Sequence, residues 1–146
     1  MRRGQTLKVY AWRGIGAWQD ESMQIRSAKE LVAYKKGYEL AMRVFRLSKA
    51  FPAEERFALT SQIRRASRSV CLNLREAWAK RRYEAHFVSK LTDCDGENAE
   101  TDSCLDFALD CGYLTPGGHK ELTALSAEIG RLLGSMLLHP EKWLQS

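Results

Sequence analysis

Four stretches of the chain carry apolar residues at three- and four-residue spacing, the period of a helix that packs on one side. The first, over about 27–50, lines up Leu31, Tyr34, Tyr38, Ala41, Phe45 and Ser48. Ser27 followed by Glu30 has the form of a capping box, and Phe51-Pro52 ends the element because the residue before proline avoids the helical region. The second starts between 53 and 57 and ends between 80 and 82, with Ile63, Ala66, Val70, Leu74 and Ala77 within about 80° of one another on the helix wheel. The third, over 83–111, has the stripe Phe87, Leu91, Cys94, Asn98, Thr101, Leu105 and Leu109, and Gly112 is placed to end it. Asn98 and Thr101 make the middle of that stripe polar, which predicts a buried hydrogen bond. The fourth opens at Thr115-Pro116, a cap followed by proline at the first helical position, and carries Leu122, Leu125, Ile129, Leu132, Met136 and Leu137. Gly130 and Gly134 allow a close helix approach, and His139-Pro140 closes the element.

Four long helices with short links predict an all-α fold, an up-down-up-down four-helix bundle over 27–139 followed by a C-terminal tail at 140–146. Residues 1–26 have no helical period and read as a flexible N-terminal extension. Arg2, Arg3, Lys8 and Arg13 alternate there with Tyr10, Trp12 and Trp18, a composition suited to nucleic acid, although an extension with no partner is the simpler reading.

Charge changes the picture of helix two. Arg64, Arg68, Arg75 and Arg82 fall within about 40° of one another, away from the apolar stripe. Guanidinium forks match phosphate and carboxylate geometry, so Arg64, Arg65, Arg68, Arg75, Lys80, Arg81 and Arg82 are the candidate nucleic-acid contacts. The helix dipole alone accounts for Glu54 and Glu55 at one end and Lys80, Arg81 and Arg82 at the other, but not for the arginines between. Residues 57–82 hold seven basic and one acidic side chain, whereas 83–111 hold one basic and eight acidic. On helix three Asp95, Asp102 and Asp106 share a face. This asymmetry is met by pairing inside a bundle, by pairing between subunits, or by a polyanion on the basic face. Leu72, Trp78, Val88 and Phe107 lie off the core stripes and predict a homo-oligomer with closed symmetry. Asn73 and Glu76, between the core stripe and the outer face, are expected to be structural, with Trp78 and the three aspartates at subunit contacts.

Catalytic chemistry is sparse. His86, His119 and His139 have no nucleophile or carboxylate at a recognisable spacing, and Gly117-Gly118 is a helix start rather than a phosphate loop. Cys71, Cys94, Cys104 and Cys111 form no CxxC pair and read as free thiols, with no metal and no cofactor expected. No apolar run reaches membrane-spanning length, and a net charge of +5 permits a nucleic-acid partner, so the expectation is a cytoplasmic non-enzyme.

The run Phe57-x-Leu59-Thr60-Ser61-Gln62-Ile63-Arg64-Arg65-Ala66, followed by Ser69-Val70, Asn73 and Glu76, resembles the four-helix-bundle proteins encoded in 23S rRNA intervening sequences. The likeness spans about 28–138 and includes Phe51-Pro52-x-Glu54-Glu55-Arg56, Phe87, Leu91, Glu100, Leu105, Ala108 and Gly112-Tyr113-Leu114. The chain departs from the family's usual Asn-Ile-Ala-Glu-Gly at Arg75 and Ala77, and carries Glu97, Asn98 and Asp102 in helix three. The resemblance implies a small homo-oligomer, a pentameric ring being favoured. A related branch of the family serves as accessory proteins to reverse transcriptases of diversity-generating retroelements. Two functions follow: RNA or DNA backbone binding through the basic helix face, or a structural adaptor, such as a reverse transcriptase accessory subunit, whose arginines meet a neighbouring subunit.

Overall fold

The computed structural model describes residues 9–13, 17–21 and 25–145. Four helices form: α1 Val32–Ser48, α2 Leu59–Ala79, α3 Glu84–Asp110 and α4 Pro116–Leu138. Successive helices pack on one another and α4 returns to α1, so the four surround one apolar core. Phe87, Leu40, Ile63, Leu74, Leu91, Leu105, Ile129 and Leu133 are fully buried in it. The fold is all-α apart from two short strands in the N-terminal stretch. There β1 Val9–Arg13 pairs antiparallel with β2 Ala17–Glu21, with Trp12 opposite Trp18. The stretch expected to be a flexible arm therefore contains paired backbone; Arg2, Arg3 and Lys8 lie outside the described residues.

Helix ends follow local chemistry. Thr115 caps α4, its hydroxyl accepting from the Gly118 N–H at 3.1 Å ahead of Pro116. Gly112 ends α3 at φ +79°; its N–H donates to the Leu109 carbonyl and that of Tyr113 to the Ala108 carbonyl, the paired bonds of a Schellman cap. Glu55 accepts from the Leu59 N–H at 3.0 Å, a carboxylate at the positive end of α2.

Helix α1 starts later than its sequence predicts. Ser27 caps a 3-10 turn at Ala28–Glu30, and Glu30 accepts from the Arg26 N–H at 2.7 Å. Leu31 is then extended, at φ −64° and ψ 136°, because its side chain and Ala28 both turn into the core. The stripe is also out of phase. Ala33, Gly37, Leu40, Ala41, Val44 and Ser48 are buried, whereas Tyr34 and Phe45 are half-buried and Tyr38 is exposed. Gly37 sets this phase: a Cβ there would stand 3.3 Å from the side chains of both Val70 and Cys71, so the α1 backbone lies directly against these α2 side chains and the aromatic edge is pushed outward.

The polar middle of α3 is satisfied. Asn98 donates to the Ser126 carbonyl at 2.9 Å and accepts from the Ser126 hydroxyl at 3.2 Å, which ties α3 to α4 inside the core. Gly130 faces Asn98, while Gly134 has open space around it and serves no close approach. After α4 a 3-10 turn, Pro140–Lys142, delivers Trp143 into the core. Trp143 packs edge-on against Trp78 at 6.5 Å, and the Gln145 N–H donates to the Arg81 carbonyl. The segment read as a tail is thus a strap against the α2–α3 corner.

Candidate nucleic-acid interface

Helix α2 buries Ile63, Ala66, Val70, Leu74 and Ala77 and so turns its arginines away from the core. On that outer face lies an open groove of about 520 Å³, whose lining includes Arg56, Arg64, Arg65 and Arg68 and, among the described residues, no carboxylate. Phe57 and Leu72 stand at the same groove, 87% and 63% exposed. Two of its arginines reach toward α1: the Phe45 ring has the Lys49 ammonium at 4.7 Å and the Arg64 and Arg68 guanidinium carbons at 5.0 and 5.7 Å from its centroid. Arg64 is further fixed by donating from Nε to the Ser48 hydroxyl at 2.8 Å.

The structure divides the sequence-predicted ladder. Arg64 and Arg68 meet in the groove and make no ion pair among the described residues. Arg65 is bound within the chain, 3.2 Å from Glu97 and 2.8 Å from Glu100 on α3, and hydrogen bonds to Glu100 and Glu97 push its pKa up. Arg75 donates to the Ser27 hydroxyl at 3.2 Å. Arg81 folds back on its own corner: its guanidinium lies 4.1 Å from a Trp78 ring centroid and donates to the Trp78 carbonyl, and burial pulls its pKa down. Arg82 stands over the Tyr83 ring, and Lys80 is exposed.

The residues expected at structural or subunit contacts separate as well. Trp78 is buried against Trp143 rather than on an outer surface, because the strap supplies the cover that four helices alone lack. Its indole Nε1 and the Arg81 Nε are both buried without a hydrogen-bond partner among the described residues. Glu76 is exposed and pairs with Lys90 on α3 at 2.9 Å; that hydrogen bond holds its carboxyl below the usual range. Asn73 is half-buried and has no hydrogen bond among the described residues. Asp106 binds the His119 ring at 2.7 Å, joining α3 to the start of α4. Asp102 is half-buried, and desolvation followed by the charge of Asp106 pushes its pKa up. Asp95 is exposed and makes no ion pair among the described residues. Leu72 and Phe107 are exposed and Val88 half-buried.

Sequence reasoning missed Arg56 and Phe57 as groove residues, and Phe45 with Lys49 as the neighbours of its arginines. The available signal was that Phe57 fits no stripe and that Phe45 and Lys49, four apart, face the helix carrying the ladder. Cys71 and Cys94 are buried thiols whose pKa burial pushes up to about 12. No group of three or more His, Cys, Asp or Glu able to hold a metal occurs among the described residues, and no described helix is long and apolar enough to cross a membrane.

The sequence profile of the 23S rRNA-intervening sequence proteins matches residues 29–135. The chain belongs to that family. Among solved structures it is similar to a protein of unknown function from the S23 ribosomal protein family of Bacteroides thetaiotaomicron. The two share 30% identity and a TM-score of 0.67, over 73% of this chain and 96% of the other. Comparison with curated proteins finds no match. The arginine groove of this intervening-sequence family member lies inside the matched span; the β1–β2 hairpin and Trp143 lie outside it.

Proposed function

We propose that the chain is a non-enzymatic nucleic-acid-binding protein that grips the phosphate backbone of RNA or DNA through the outer face of α2. The observation that carries this reading is the groove: Arg56, Arg64 and Arg68 line it without an ion pair, and no carboxylate of the described residues lines it. Arginine forks in such a groove contact phosphates with little regard for base sequence. The membership of the 23S rRNA-intervening sequence family gives the reading a setting beside RNA. The bundle runs up-down-up-down, as its short links favour, and works in the cytoplasm without a cofactor.

A second reading is favoured by Leu72 and Phe107, which are 63% and 64% exposed. Exposed apolar side chains mark interfaces, so the chain assembles into a cyclic homo-oligomer, a pentamer being favoured, and acts as an adaptor, for example to a reverse transcriptase. The test that separates the two is the triple change Arg64→Ala, Arg68→Ala and Arg75→Ala, read by binding to a labelled oligonucleotide and by light scattering. Lost binding with assembly intact supports the phosphate groove. Dissociation into monomers assigns the arginines to subunit contacts, and no change in either property makes the stripe a solvated face and refutes the phosphate groove.

A further inference from the structure

The geometry points to a single-stranded ligand at this groove, with an unpaired base stacked on Phe57 while Arg64 and Arg68 hold its phosphates; this rests on the nucleic-acid reading above. Phe57 stands two residues ahead of α2 and is 87% exposed, so its ring contributes almost nothing to the core. A lone exposed phenylalanine is ordinary. This one belongs to a groove whose charge is complementary to a polyanion, and Arg56 sets its guanidinium 5.0 Å from the ring centroid.

The two aromatic rings of this surface differ in a way that selects the ligand. Phe45 is half-buried and carries Lys49, Arg64 and Arg68 around its ring, so it orients cations. Phe57 has one cation and an open ring. A planar base fits such a ring because every base has a π-face, and stacking is tolerant of sequence. In a duplex those faces are covered by neighbouring base pairs, leaving only phosphates for the arginines. Only an unpaired strand uses both halves of the site. The groove volume of about 520 Å³ also lies in the range that takes a compact organic group.

The experiment compares a short labelled single strand of mixed sequence with the duplex made from it, each as RNA and as DNA, so that the tighter polymer identifies the ligand. The expected result is tighter binding of the single strand. Phe57→Ala should weaken that binding by about tenfold, leave duplex affinity unchanged, and be rescued by Phe57→Trp. Because the side chain is exposed, the variants should fold normally, which thermal unfolding checks. Equal affinity for strand and duplex, indifferent to Phe57→Ala, overturns the stacking inference while leaving phosphate binding intact. Binding of neither polymer by wild type removes the nucleic-acid reading itself. Loss of assembly in Phe57→Ala overturns the inference by making the ring a subunit contact.

Discussion

Replacing Trp143 by Ala tests whether the C-terminal strap is part of the fold. Trp143 is 5% exposed and meets Trp78 edge-on at 6.5 Å. A buried Trp removes about 200 Å² from water, which at ~25 cal/mol/Å² corresponds to an upper bound of about 5 kcal/mol. The strap is short and terminal, so its release restores backbone freedom and offsets part of that loss. A net destabilisation of about 2–3 kcal/mol follows, toward the lower end for Trp→Ala changes. For a chain of this length each kcal/mol moves Tm by about 2–4 °C, so Tm should fall by roughly 5–10 °C. The assay is thermal unfolding by circular dichroism at fixed protein concentration, since assembly makes Tm concentration-dependent. Trp143→Phe should recover most of the loss, and the Trp78 fluorescence should shift to the red in the Ala variant as water reaches its indole. A Tm within a degree of wild type, with unshifted fluorescence, would refute the strap as a core element.

Asn98→Ala leaves the buried Ser126 hydroxyl and carbonyl without their partner and should cost about 2 kcal/mol in denaturant unfolding, whereas pairing Asn98→Leu with Ser126→Ala should cost less than Asn98→Ala alone. Alkylation of the native protein at mildly alkaline pH should modify Cys111 quickly and spare Cys71, Cys94 and Cys104. Those three are buried, and burial raises their pKa, that of Cys71 and Cys94 to about 12, so their thiolates are scarce until unfolding; peptide mass mapping reads the result. If Arg56, Arg64 and Arg68 each contact one phosphate, single-strand affinity should fall about 20-fold from 50 to 200 mM salt, and only about 3-fold in the Arg64→Ala/Arg68→Ala double variant. Arg65→Ala should leave that slope nearly unchanged, because Glu97 and Glu100 already neutralise the guanidinium; a slope shared by wild type and the double variant refutes the groove.

Periodicity made α2, α3 and α4 legible because their buried sides are made of ordinary aliphatic stripes bounded by strong local signals such as Thr115-Pro116 and Gly112. It failed on α1 for a physical reason. Tyr34, Tyr38 and Phe45 outweigh their neighbours in hydrophobicity, yet the buried side is the one that lets Gly37 approach Val70 and Cys71. Backbone contact decided the phase, and a glycine leaves no hydrophobic mark on a helix wheel. Trp143 was missed because its value depends on Trp78, distant in sequence and itself misassigned to the surface. The arginine ladder was legible as a stripe on one helix. Its division was not, since the partners of Arg65 lie on α3 and the ring that orients Arg64 and Arg68 lies on α1.

That division bears on the asymmetry between the basic and acidic helices. Much of it is closed within one chain: Arg65 by Glu97 and Glu100, Lys90 by Glu76, and Asp106 by His119. These pairs are only partly buried and contribute little to stability, but they remove the paired groups from any external contact. Among the groups left without an ion pair within the described residues are Arg56, Arg64 and Arg68 at the groove and Asp95 and Asp102 on one face of α3. If neighbouring copies joined these two sets, the groove would be filled by a subunit, and an oligonucleotide would compete with assembly. Adding the oligonucleotide would then lower the oligomer mass. If the groove faces outward, the oligomer keeps its mass and gains that of the bound strand. The half-buried, raised-pKa Asp102 is the sharper probe of the pair, because a guanidinium brought against it would reverse its shift. Asp102→Asn should therefore weaken assembly in the first arrangement and leave both assembly and strand binding unchanged in the second. Sedimentation with and without the strand decides between them, and the phosphate groove requires the second.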